Sequence, residues 1–121
     1  MRTISYEEAK DALETVAGER PMYRQPYCEN FGYLDHEPCC LAATALAVLL
    51  PGEFTFQWAR RHGVDSGAMA DKTMDRLVLD GIASFDNGAY ELFVRAQGQA
   101  DQKRPWGEVV PQVLAELEGM T

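Results

Sequence analysis

Side chains able to ligate a metal or act as nucleophile and base crowd into residues 28–40, where Cys28, His36, Cys39 and Cys40 stand close together. Thiolates and imidazole are the ligands zinc prefers, which makes Cys28, His36 and Cys39 the candidate metal ligands. The spacing contains no Cys-x-x-Cys pair, and adjacent cysteines rarely face one ion. Cysteine is also among the residues most often buried, so packing is the expected fate of Cys28 and Cys40, and no cofactor is expected.

Cys39 raises a second chemistry. It opens an apolar run that reads as a helix, and a thiol at a helix N-terminus is activated by the dipole and the free N–H groups. His36 or His62 would act as base, with Asp35 or Asp65 orienting it, the general Cys-His-Asp logic. Each part also has an ordinary explanation. His36 sits in a polar turn bounded by proline, and His62 is where the end of a helix attracts a cation. The balance leans away from an enzyme. Gln97, Asp101 and Trp106 form another cluster. Gln97 and Asp101, four apart, read as a solvated face or a cap for the next turn, and Trp106 as packed against the helix before it.

The elements that would position these groups are mostly helical. Residues 39–50 offer Thr44 as the only ordinary polar side chain, and Leu41, Leu46, Val48, Leu49 and Leu50 are expected to be buried in a central helix. Ser5-Tyr6-Glu7-Glu8 has the form of a capping box opening a helix with Ala9, Ala12, Leu13, Val16 and Ala17 inward and Gly18 as its stop. Residues 19–38 read as an irregular aromatic segment, with short strands expected over 22–27 and 31–34 and Pro38 at the start of the central helix.

A third helix is expected over 53–62 with Gly63 as its stop, and a loop over 64–68. A fourth follows over 69–79 with Met69, Thr73, Met74, Leu77 and Val78 inward. After a short extended piece at 82–85, Asp86-Asn87-Gly88 allows a hairpin, as in a winged helix, or the cap of a fifth helix. The fit of Ala89, Leu92, Phe93, Ala96 and Ala100 to helical spacing favours the helix. In the last segment Trp106, Val110, Val113, Leu114 and Leu117 line up, with Pro111 predicting a kink or a short turn before a helix over 110–118.

At 121 residues the chain is expected to form a single domain, residues 1–121. No basic-then-apolar segment opens it and no apolar run is long enough for a membrane, so a cytoplasmic protein with reduced thiols is expected. Nineteen acidic against eleven basic residues give a formal charge of -8, which disfavours nucleic acid; Arg60-Arg61 is the nearest approach to a basic patch.

Taken together, Tyr27-Cys28, an aromatic at Phe31 or Tyr33, Pro38-Cys39-Cys40-Leu41, Ala96-Gln97 with Asp101, and Trp106-Gly107-Glu108 resemble a family of small proteins of actinobacteria and their phages. The family pattern has Gln before the Asp, where this chain has Ala100. The resemblance implies a mostly helical fold and an intracellular host or phage setting, and carries no established activity. The expected fold is all-α or nearly so, with five or six short helices around a buried central helix at 39–50. The expected function is that of a non-enzymatic accessory protein, of host or phage origin, that binds another protein through its acidic surface or through residues 19–38, where Tyr27, Tyr33, Asp35 and His36 are the binding candidates together with Trp106. A thiol-dependent enzyme or metal site at Cys28, His36 and Cys39 is the alternative, and a winged-helix DNA binder the weaker one.

Overall fold

The chain begins with a strand that its sequence does not announce. In a computed structural model, which describes residues 1–24, 40–63 and 70–119 together with the backbone of 33–34 and 37–38, Arg2–Ile4 forms β1. β1 pairs in parallel with Ala83–Phe85, β4, in the register Arg2↔Ala83, Thr3↔Ser84 and Ile4↔Phe85. Parallel strands need a long crossover, and here α1 to α4 lie within it. Tyr33–Leu34 (β2) and Glu37–Pro38 (β3) make a second, antiparallel pair in which Tyr33 faces Pro38 and Leu34 faces Glu37. Pro38 thus ends a short strand just before the central helix, whose N-cap is Cys40. Of the expected strand over 22–27, the described residues 22–24 are not extended into a strand.

Six helices are described: α1 Tyr6–Glu19, α2 Leu41–Leu49, α3 Phe56–Arg61, α4 Ala70–Leu79, α5 Asn87–Ala100 and α6 Trp106–Glu118. The fold is a small, mostly all-α arrangement, as the periodicity predicts. α1 starts on a full capping box: Glu8 N–H donates to Ser5 Oγ, and Ser5 N–H donates to Glu8 Oε1, both at 3.2 Å. Its expected inward residues Ala9, Ala12, Leu13, Val16 and Ala17 are all buried. The helix runs past Gly18 and is closed by Arg20, whose N–H reaches the Val16 carbonyl.

α2 lies against α1 and α5, and α1 also covers α5 and α6. Leu41, Ala42, Ala43, Ala45, Leu46 and Leu50 are buried, and each leucine contributes about 1.5–3 kcal/mol by leaving water. Val48 corrects the expectation of a helix enclosed all round, being 52% exposed. The open stripe of Thr44, Ala47 and Val48 is the side that α1 and α5 do not reach.

α3 is shorter than expected because Thr55 caps it: Thr55 Oγ1 accepts from Trp58 N–H at 3.1 Å, and Phe54 packs into the core just before the helix. Gly63 takes φ 68° after it, the left-handed stop predicted for that position. Met69 and residues 64–68 lie outside the described residues. In α4, Thr73, Met74 and Leu77 face inward, whereas Val78 is 40% exposed because it falls about 100° round the helix from Leu77.

At 86–94 the helix forms and the hairpin does not. Asp86 Oδ1 accepts from Ala89 N–H at 2.7 Å, and Ala89, Leu92, Phe93, Ala96 and Ala100 are fully buried. The wing of a winged helix is thereby lost from this part of the chain. α6 passes Pro111 as a single element, neither split nor preceded by a separate turn, with Pro111 on the exposed side.

Candidate functional site

The start of α2 is where the sequence places its most reactive candidate, and the described residues there form a closed polar contact. Cys40 is the N-cap residue, and its thiol is a poor substitute for the oxygen of an ordinary cap. Gln97 of α5 does that work instead: its Oε1 accepts the Ala42 N–H at 2.9 Å, and its Nε2 donates to Asp101 Oδ1 at 2.8 Å. A glutamine 4% exposed is thus committed at both ends. One of the donors that a helix start leaves unused is satisfied from a neighbouring helix.

This corrects the reading of Gln97 as part of a solvated face. The clue in the sequence is its place on the apolar stripe, four residues after Phe93 and three before Ala100. The Cys40 thiol is 2% exposed, and burial pushes its pKa up to about 12, with Asp101's charge adding to the rise while hydrogen bonds from the Ala43 backbone and Gln97 oppose it. A thiol held so firmly protonated is not a nucleophile.

Of the other predicted site residues, Tyr27, Cys28, Asp35, His36 and Cys39 lie outside the described residues, as does Asp65, and Tyr33 is placed by its backbone alone in β2. Among the described residues no group of three or more His, Cys, Asp or Glu side chains is placed to hold a metal ion. Trp106 is fully buried and so offers no surface to a partner, contrary to its reading as a binding residue. It meets Tyr23 edge-on with ring centroids 4.6 Å apart. The start of α6 is tied to the same segment, with Trp106 N–H donating to the Tyr23 carbonyl at 3.0 Å and Gly107 N–H to the Pro21 carbonyl at 2.9 Å.

His62 belongs to a third cluster, at the corner where α3 and α4 end. Asp80 accepts the Trp58 indole N–H at 2.8 Å and stands 3.4 Å from His62 Nε2, while the Trp58 and His62 rings lie 4.9 Å apart. The Trp58 bond is the main reason the Asp80 carboxyl is held below its ordinary value; partial burial works against it, and the charges of His62, Arg76 and Arg61 support it. His62 closes α3, where the sequence reading places it, and lies across from Asp80 at the end of α4.

A comparison with protein-family models, curated proteins and solved structures finds none that matches this chain.

Proposed function

We propose that this chain is a non-enzymatic accessory protein that works by binding another protein. The observation that supports this reading is a pair of neighbouring apolar side chains left open at the end of α4, Leu79 at 77% exposed and Val78 at 40%. Met1, Met22, Val48 and Val94 are the other large apolar side chains exposed among the described residues. Singly scattered apolar residues are ordinary on a protein surface; an adjoining pair at a helix end supplies an anchor for a contact. Covering Leu79 alone is worth roughly 1.5–3 kcal/mol to a complex.

The resemblance to small actinobacterial and phage proteins adds a setting, inside a host cell or derived from its phage. The test is capture from such a lysate by the immobilised protein, run beside Leu79→Glu and Val48→Glu variants of unchanged circular dichroism. The reading expects bands retained by the parent protein and lost from a variant. Identical retention by all three, or none by any, contradicts it.

A further inference from the structure

The corner of α3 and α4 gathers Arg61 and Arg76 around Asp80, with Arg60 next to Arg61 in the chain, in a protein of net charge -8. Four ion pairs between permanently charged groups occur among the described residues, Arg2–Glu8, Lys10–Glu118, Arg95–Glu91 and Arg104–Glu108, and His62 Nε2 stands 3.4 Å from Asp80. Arg60, Arg61 and Arg76 are in none of them. Arg60 and Arg61 are exposed in the last turn of α3. Arg76 lies one turn before the end of α4, and its Nε is enclosed without an acceptor. The two helix ends are held together by the Trp58–Asp80 bond, and Leu79, the most exposed apolar side chain of α4, directly precedes Asp80.

We propose that this corner docks a partner segment that is acidic and carries an apolar side chain, the apolar group covering Leu79 and Val78 while the carboxylates meet Arg60, Arg61 and Arg76. The proposal rests on the protein-binding reading above and narrows it to one surface and one partner chemistry.

Charge complementarity selects this occupant. Glu7, Glu14 and Glu118 gather near Lys10 on the α1–α6 side, which repels an acidic segment. Arg20 and Arg24 are likewise in no ion pair among the described residues, but Arg20 stacks over Tyr23 and Arg24 donates to the Lys103 carbonyl. Arg60 and Arg61 instead close α3 by the open Leu79–Asp80 end of α4, and Arg61 and Arg76 share Asp80 as their acidic neighbour. Those three guanidinium groups attract such a segment. The planar fork of arginine matches a carboxylate in two parallel hydrogen bonds, an arrangement lysine cannot reproduce. Phosphate backbones are opposed by the net charge and leave Leu79 uncovered, which favours a peptide over a nucleic acid.

The probe is a synthetic helical peptide with leucines at i, i+3, i+4 and i+7 and Glu and Asp between them, titrated into the 15N-labelled protein. The expected result is saturable movement of the amides of 58–62 and 76–82 and of the Trp58 indole N–H. Affinity should fall about tenfold or more in Arg60→Glu/Arg61→Glu and in Leu79→Glu, and should weaken as salt rises.

Equal or tighter binding of the same peptide with Lys in place of Glu and Asp overturns the proposal. So does movement confined to α1 and α6, binding unchanged in the arginine variant, preference for a short DNA duplex, or a concentration-dependent doubling of mass showing a second copy on this surface. If lysate capture depends on Leu79 but the acidic peptide does not bind, the chemistry assigned to the corner is wrong and the protein-binding reading stands. If capture does not depend on Leu79 or Val48, the broader reading fails as well.

Discussion

Gln97 of α5 accepts the backbone N–H of Ala42 at 2.9 Å, so the central helix begins on a side chain supplied by another helix. Replacing it with leucine keeps the volume and leaves both the Ala42 N–H and the Asp101 carboxylate without this partner. A buried donor left unmet costs about 1–3 kcal/mol, and Gln97→Leu should lose that much in urea titration. Gln97→Glu keeps the acceptor but sets a second carboxylate against Asp101. Burial and that charge raise the pKa of the new glutamate in the fold, so this variant should recover stability as pH falls and lose it as pH rises.

Tyr6 ties the first helix to the last. Its hydroxyl donates to Glu118 Oε2 at 3.0 Å, and burial, then the bond and charge of Glu118, raise its pKa from 10.0 to about 12. A raised pKa means that the fold prefers the protonated phenol. The stabilisation is complete below pH 10.0 and disappears as pH climbs towards about 12. Thermal unfolding across that window should show a slope that Tyr6→Phe removes; equal slopes in both proteins would contradict the linkage.

Gly107 is required by its neighbour. A Cβ there would stand 2.8 Å from both the Cβ and the carbonyl oxygen of Pro21, the same oxygen that accepts the Gly107 N–H. Retreat of either segment costs that bond and loosens Tyr23 from Trp106. Gly107→Ala should therefore destabilise by about 1–3 kcal/mol, as overpacking does, with increased Trp106 solvent exposure in fluorescence quenching.

The thiol of Cys40 should be silent in the native protein. With its pKa pushed up to about 12 and almost no exposed surface, it should react with a disulfide reagent at pH 8 only as the chain unfolds. Comparison of Cys40→Ala with the parent counts this residue apart from Cys28 and Cys39. A native labelling rate unchanged by that substitution is expected, and a clear drop would show that α2 opens at its start.

Where structure is local, the sequence was readable. Ser5 with Glu8, Asp86 with Ala89, and the inward stripe from Ala89 to Ala100 all rest on contacts within a turn or two, which spacing encodes directly. Pairings between distant residues were not. Nothing in Arg2-Thr3-Ile4 names Ala83–Phe85 as its partner, and three residues are too few for alternation to declare a strand. Gln97 lay visibly on an apolar stripe, but the amide it meets is on another helix. Val48 and Val78 are apolar residues that periodicity assigns inward; whether a neighbour covers them is settled by how the helices pack, which no single helix records. Asp80 ended α4 legibly, yet its bond to Trp58, which sets its carboxylate within reach of Arg61's charge, exists only once α3 and α4 meet.

Whether Leu79 and the arginines of the α3–α4 corner form a binding surface is tested most directly by hydrogen exchange of the full chain, alone and mixed with the captured partner fraction. Slowed exchange at 58–62 and 76–82, absent when Leu79→Glu is used, is the result predicted. Protection centred on α1 and α6, or none anywhere while the partner remains bound to the variant, would contradict it.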